Sequence, residues 1–390
     1  MKRFGALVIG VILLMNTLFC MNVYAAPEET QMNITSTSAV LIEGSTGSII
    51  YEKNKDEKLK PASITKIMTL LLIFEAVDSG KIKLTDEVSV SEYAASMGGS
   101  QVYLEPFETQ TVDTMIKCIS IASANDASVA MAELIAGSEA EFVARMNERA
   151  KELGMLNTNF VNCCGLDEDN HYSTAYDVAL MSKELITKHP EVSNYSTVWM
   201  DTITHTTRKG QSEFGLTNTN KLIKHYNGIT GLKTGSTSLA KYCLSATAKR
   251  DGMDLIAVIM AAPETKVRFA EASRLLDYGF ANCSIFRDAN QDLQVVPVPV
   301  KKGIAAGVNY KVKEEFSYLC LKDTNPADIT KEVTMYESVT APVKENDKVG
   351  EITYKLSGSK IGTVDIVASE NIEKAKFRDY FLQALQKLML

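Results

Sequence analysis

The sequence predicts a mixed α/β domain, then a small all-β domain, then a final amphipathic helix. Strand-like runs stand at both ends of a helical middle, up to about residue 285. From about 290 to 369 the texture changes to short β runs separated by Pro and Gly turns. Over 370–390, apolar residues recur at helical spacing. A chain of 390 residues is also long for one core, which favours two domains. Its 45% hydrophobic and 23% charged content is that of a soluble globular protein, and a net charge of -7 argues against nucleic acid as a partner.

The chain opens with Lys2 and Arg3, an apolar run from Phe4 to about Phe19, and Val23-Tyr24-Ala25. That order is expected of a secretory signal over 1–25, cut after Ala25, and the run is short for a membrane span. Without Lys2 and Arg3 the chain has 39 basic against 48 acidic residues, a net charge of -9. It is therefore expected to be exported and to work outside the cytoplasm.

Residues 39–53, AVLIEGSTGSIIYEK, place two β-rich runs around a Gly-Ser-Thr-Gly turn and predict a hairpin. Pro61 then opens a helix that Gly80 closes. Residues 111–154 are mostly helical with a break near Ala122-Ser123-Ala124-Asn125-Asp126, and 172–189 form another amphipathic helix. KYCLSATAK and MDLIAVIMAA flank Arg250-Asp251-Gly252, a hairpin signal, and KVRFAEASRLLDYGF is a further helix. The first domain is thus placed at 26–285 and the β domain at 290–369.

Six cysteines lie beyond the leader: Cys118, Cys163, Cys164, Cys243, Cys283 and Cys320. Their irregular spacing, the size of the domain and the adjacency of Cys163 and Cys164 argue for free thiols rather than disulfides. With only four histidines, no spaced Cys/His set for a structural metal is present.

The stretch KPASITKIMTL (60–70) puts Lys66 on the apolar face of the Pro61 helix, three residues after Ser63. Residues three apart share a helix face. A lysine buried there loses charge stabilisation, so its pKa falls and a neutral amine becomes available. A neutral amine beside a hydroxyl is a general base beside a nucleophile. Ser-x-x-Lys also arises by chance, as Ser357 and Lys360 show. Ser123-Ala124-Asn125 could by itself be a helix cap, with Asp126 completing a capping box. Lys233-Thr234-Gly235-Ser236 could by itself be an edge-strand turn. Together and in this order they form the Ser-x-x-Lys, Ser-x-Asn, Lys-Thr-Gly set of penicillin-recognising acyl-serine enzymes.

From about residue 30 to its end the chain closely resembles low-molecular-mass penicillin-binding proteins that are serine-type D-alanyl-D-alanine carboxypeptidases. The resemblance extends to GGSQVYLEP (98–106), GLDEDNHYSTAYDVA (165–179), GITGLKTGST (228–237) and YCLSATAKRDG (242–252). It implies a β-lactamase-like transpeptidase domain with an antiparallel sheet and helices. It also implies removal of the terminal D-alanine from peptidoglycan pentapeptide stems, covalent capture of β-lactams, and no metal or organic cofactor. Ser63 would be the nucleophile and Lys66 its base. Ser123 would relay protons and Asn125 hold the substrate amide. Lys233 and Thr234 would bind the substrate carboxylate and position Ser123, and Gly235 would let the strand edge approach the substrate. The backbone N–H groups of Ser63 and Ser236 would form the oxyanion hole, and Arg268 would attract the terminal carboxylate. Some members carry His at the position of Ser236, which bears on fine substrate preference. No role follows for Cys163 or Cys164.

A serine β-lactamase shares the three motifs, but no Glu-x-x-x-Asn suited to activating a deacylating water lies between Asn125 and Lys233, and the appended β domain is foreign to that class. A D,D-endopeptidase shares the motifs too, and the intact Ser63, Lys66 and Lys233 argue against a non-catalytic penicillin-binding scaffold. In the last helix, read from Ile372 to Leu390, Phe377, Phe381, Ala384, Leu385 and Leu388 form one apolar stripe, with Lys374, Arg378 and Lys387 elsewhere. That pattern is expected of a helix lying on a membrane surface, with the β domain as a stalk.

Overall fold

The computed structural model describes residues 32–381 except 209, 291–292 and 294–295. The expected leader over 1–25 and the stripe positions Ala384, Leu385 and Leu388 lie outside the described residues. The described residues from 35 onward form one compact unit.

The centre of the first domain is a five-stranded antiparallel sheet. Its strands are β1 (Ser38–Glu43), β2 (Ile49–Lys53), β7 (Ile229–Thr237), β8 (Lys241–Arg250) and β9 (Met253–Ala262), in the order β2-β1-β9-β8-β7. The remaining strands before residue 290 are β3 (Glu87–Ser89) and β4 (Thr109–Thr111), β5 (Met200–Thr207) and β6 (Gly210–Thr217), and β10 (Cys283–Asp288). The predicted hairpins at 39–53 and 241–262 are both present. The β5–β6 hairpin was not anticipated: MDTITHTT and GQSEFGLT mix polar residues through runs with little burial.

Among the described residues, six helices of ten residues or more accompany the sheet: α1 (Lys66–Asp78), α2 (Val112–Ile121), α3 (Asn125–Ala136), α4 (Glu139–Glu152), α5 (Ala175–Lys188) and α6 (Thr265–Asn282). Both faces of the sheet are covered, so β1 reads as a continuous apolar run rather than an alternation. Val40, Ile42, Ile256 and Val258 join the main core, which also holds buried residues of α1 and α5. Leu41 and Leu255 turn the other way, onto α6: a Cβ at Gly279 would lie 2.6 Å from Leu255 and 3.0 Å from Leu41.

Two expectations about the Ser63 segment change. The first turn is not α-helical but a 3-10 turn, Ala62–Thr65, with Ala62 at φ 49°. And α1 has no single apolar face: ten of its thirteen residues are buried. Seven of these are large and apolar, each worth about 1.5–3 kcal/mol when fully buried. Packing on that scale can hold one buried amine in place, which a surface helix with a lone apolar stripe could not do.

After α6 the chain runs straight into β10, which pairs with residues Phe316–Leu321. Four further strands form a sheet in the order Tyr310–Val312, Ser359–Ala368, Lys348–Leu356, Ile329–Met335, around a core that includes Val349, Ile352, Tyr354 and Ile366. Ser357 sits in the turn between two of these strands at φ 49°, so Ser357 and Lys360 share no helix face.

The terminal helix starts later than expected. Residues 372–375 are extended and bonded to the β unit: Ile372 exchanges backbone hydrogen bonds with Val343 (2.8 and 2.9 Å), and Ala375 N–H donates to the Lys302 carbonyl at 2.8 Å. Ile372 and Ala375 are buried. Only at Phe377 does helix begin, with the Asp379 carboxylate accepting the Lys376 N–H at 2.7 Å as a cap. Phe377 is 87% exposed and Phe381 58%.

Candidate active site

The three motifs, far apart in sequence, meet at one place. The 3-10 turn presents Ser63, half-buried, ahead of α1. The break between α2 and α3 presents Ser123, which adopts a left-handed conformation (φ 64°). The edge strand β7 carries Lys233-Thr234-Gly235-Ser236.

Lys66 is fully buried. Its Nζ lies 3.2 Å from Ser63 Oγ, 2.6 Å from Asn125 Oδ1 and 2.8 Å from the Cys164 carbonyl oxygen. Burial pushes its pKa below the ordinary 10.5, against weaker opposing effects from Cys164, Cys163 and Asp126. Asn125 and Cys164 offer oxygens that can only accept. A neutral amine therefore spends both hydrogens on them, and its lone pair is left for the Ser63 O–H.

Ser123 is no helix cap: the cap position belongs to Ala124, whose side chain makes no bond. Ser123 Oγ instead accepts from Lys233 Nζ at 2.8 Å, and the same ammonium donates to the Thr234 carbonyl at 3.1 Å. Burial lowers the Lys233 pKa well below normal, and the nearby Lys66 and Arg268 add to the effect. Asp126, expected as the partner in a capping box, accepts from the N–H groups of Val102 and Leu104 and fastens the 98–104 loop beside the cleft. Asn125 anchors that loop too: its N–H donates to the Ser100 carbonyl at 2.8 Å and its Nδ2 to the Gly98 carbonyl at 2.6 Å.

Gly235 was expected to make room for substrate, yet its tightest neighbour is the Ser63 turn. A Cβ there would lie 2.9 Å from the Pro61 carbonyl oxygen, 2.9 Å from the Ser63 nitrogen and 3.0 Å from the Ile64 nitrogen. A bare backbone at 235 thus brings the strand edge, with exposed Ser236 next in line, against the amide of Ser63. Thr234 Oγ1 is 2.6 Å from Thr219 Oγ1.

Arg268 is neither a surface charge nor free. It is buried on α6, and its Nη1 donates to the carbonyls of Gly235 (2.8 Å) and Cys243 (3.1 Å). Its guanidinium stands 4.8 Å from the Phe269 ring centre. Its Nε is buried without a partner. Arg268 keeps a positive charge at this end of the cleft, suited to a carboxylate.

Several supporting residues escaped sequence reasoning. Gly165, at φ 86°, lies under the Ser63 turn so closely that a Cβ would be 1.8 Å from the Ala62 carbonyl oxygen. Asp167 accepts from Thr237 Oγ1 at 2.9 Å, tying this loop to the end of β7, and Lys60 donates to the Glu168 carbonyl. His171 accepts the Val161 N–H on Nδ1 at 3.0 Å, so its Nε2–H donates to Thr65 Oγ1 at 2.9 Å. Burial, with Lys60 assisting, takes the His171 pKa down to about 4. All four belong to GLDEDNHYSTAYDVA, the stretch that carried resemblance but no role. A backbone carbonyl such as that of Cys164 has no sequence signature at all.

Beyond the motif strand, a cavity of about 330 Å³ is lined by Ser236, Thr237, Ser238, Lys241 and Tyr242. A larger cavity of about 630 Å³, lined by residues such as Lys183, Thr187 and Arg287, contains none of the motif residues.

Comparison with known proteins agrees with this geometry. Residues 25–264 match the D-alanyl-D-alanine carboxypeptidase peptidase family, and 289–374 match the C-terminal domain of penicillin-binding protein 5. The chain is 44% identical to D-alanyl-D-alanine carboxypeptidase DacF of Bacillus subtilis (strain 168), over 97% of this chain and 96% of that one. Among solved structures, penicillin binding protein 5 from Haemophilus influenzae superposes with a TM-score of 0.72 at 29% identity, covering 87% of this chain and 98% of the other. Penicillin-Binding Protein D2 from Listeria monocytogenes in its ampicillin-bound form has a TM-score of 0.53 at 33% identity, covering 64% and 98%. The chain belongs to the serine-type D-alanyl-D-alanine carboxypeptidases, the low-molecular-mass penicillin-binding proteins. Members of this family act on the cell wall outside the cytoplasm.

Proposed function

We propose that Ser63 attacks the carbonyl of the terminal D-Ala–D-Ala bond of a peptidoglycan pentapeptide stem, with Lys66 as its base. The observation that carries this is the three-way contact of Lys66, with two acceptor oxygens on one side and the Ser63 hydroxyl on the other. The hydroxyl proton passes to the Nζ lone pair as Oγ bonds to carbon. The N–H groups of Ser63 and Ser236 receive the developing oxyanion. The C–N bond then breaks. Ser123 gives its proton to the departing nitrogen as it takes another from the Lys233 Nζ that holds its oxygen, and D-alanine leaves. Water hydrolyses the ester on Ser63 to complete the cycle.

Lys233, Thr234 and Arg268 receive the terminal carboxylate at the cationic end of the cleft. Arg268 does this chiefly by setting the strand that carries the other two, through its bond to the Gly235 carbonyl. Asn125 fixes Lys66 through Oδ1, and its Nδ2 exchanges the Gly98 carbonyl for the substrate amide. A β-lactam acylates Ser63 by the same first step, and its product ester stays bound. In keeping with the leader-like start of the sequence and exposed Phe377 and Phe381, the enzyme is exported and held at the outer face of the cytoplasmic membrane by its C-terminal segment.

The test is to incubate the purified protein with a muramyl pentapeptide and measure free D-alanine. Stoichiometric turnover to the tetrapeptide is expected. Cleavage confined to internal cross-links, with no release from the monomeric pentapeptide, would replace this reading with an endopeptidase.

A further inference from the structure

Behind Lys66 lies a second cluster that acyl-serine chemistry does not use. Cys163 and Cys164 are both buried and unbridged, with their sulfurs 3.6 Å apart. Glu139, half-buried at the start of α4, completes the group: one carboxylate oxygen and the two sulfurs all lie within 4.8 Å of one another. Two thiolates on one tetrahedral ion, each about 2.3 Å from it, stand about 3.8 Å apart. The sulfurs are already near that spacing without an ion.

The cluster is also held in place. Asn162 Oδ1 accepts the N–H groups of Cys164, Gly165 and Leu166 at 3.2, 2.7 and 3.1 Å. The Cys163 carbonyl accepts from Thr69 Oγ1 at 2.7 Å, and the Cys163 N–H donates to Glu139 Oε1 at 3.0 Å. Tyr93, an exposed residue, closes the outer side by donating to Glu139 Oε2 at 2.7 Å.

We propose that Cys163, Cys164 and Glu139 form a binding site for a thiophilic divalent cation of the zinc class, with its fourth position left to water. Three protein ligands and one open position are an accepted coordination for such ions, and thiolates select soft ones. Each thiol gives up its proton as it binds: two S–H bonds break, two metal–sulfur bonds form and two protons pass to solvent. One dication replaces two protons, so the net charge of the cluster is unchanged. The ion reaches the catalytic base through geometry alone: its ligand Cys164 also supplies the carbonyl that Lys66 Nζ holds at 2.8 Å.

Cadmium serves as the probe because its thiolate complexes absorb in the ultraviolet. Titrating Cd²⁺ into the full-length reduced protein should produce a thiolate-to-metal band that saturates at one ion per chain. Zn²⁺ should compete for it. Cys163→Ser and Cys164→Ser should each abolish the band, Glu139→Gln should weaken binding about tenfold, and Cys283→Ser should leave it unchanged. Glu139→Gln removes no core atom, so it stays informative if a cysteine variant is unstable. A band of equal strength in the Cys163→Ser/Cys164→Ser double variant, or none in the wild type, would overturn the proposal.

Discussion

A Cβ on Gly235 would stand 2.9 Å from the backbone nitrogen of Ser63. Strand and nucleophile turn are in direct backbone contact, and the oxyanion hole proposed between Ser63 and Ser236 depends on that contact. Gly235→Ala should push them apart by the few tenths of an ångström that such a hole does not tolerate. Because β7 is an edge strand, the fold should survive. Acylation by a labelled penicillin should fall by about 10²–10³, the usual result of losing an oxyanion donor. A rate within about threefold of wild type would mean that the hole lies elsewhere.

Lys66→Arg keeps the charge but removes the base, since a guanidinium does not deprotonate at working pH. Acylation should drop by at least about two orders of magnitude. The wild-type pH profile carries the same information. Burial favours the neutral amine, so the base form persists to lower pH than in a free lysine. Acylation should rise with pH along a limb lying below 10.5, and the arginine variant should show no such limb. Near-normal acylation by the variant would reduce Lys66 to an electrostatic role.

Residue 376 divides the part of the C-terminus bonded to the β unit from the exposed segment proposed to hold the enzyme at the membrane. A chain ending at Lys376 keeps Ile372 and Ala375 on the β unit but loses exposed Phe377 and Phe381. It should release D-alanine from soluble pentapeptide at the wild-type rate and fail to sediment with anionic lipid vesicles. A chain ending at Ser369 should in addition unfold at lower temperature, because buried Ile372 is lost. Undiminished vesicle binding by the Lys376 form would place the anchor elsewhere.

Much of this was legible in the sequence, and the exceptions have physical causes. The hairpin flanking Arg250-Asp251-Gly252, and the helices from Thr174 and Thr265, follow from turn chemistry and period. The three motifs were recognisable because their chemistry resides in side chains. What stayed hidden was backbone: the carbonyl of Cys164, the closeness of Gly165 to Ala62, and the contact of Gly235 with the Ser63 turn. Helix α1 was read as having one apolar face, which carried Lys66, whereas the helix is buried on nearly every side and Thr69 as well as Lys66 is bonded inside. The terminal helix was begun too early because an extended segment with Ile372 inward fits a helical spacing equally well. Arg268 was expected only to attract the terminal carboxylate, and the fold alone shows that it also holds β7 through the Gly235 carbonyl.

The central claim is that Ser63 alone carries the acyl group, and a labelled penicillin followed by peptide mass mapping tests it most directly. The wild type should carry one label, on the peptide containing Ser63. Ser63→Ala, folded as judged by its melting temperature, should carry none. Ser357, which repeats the Ser-x-x-Lys spacing in a β turn without partner motifs, is the internal control and should stay unlabelled. Label retained by Ser63→Ala, whether on Ser123, Ser357 or elsewhere, would contradict the account.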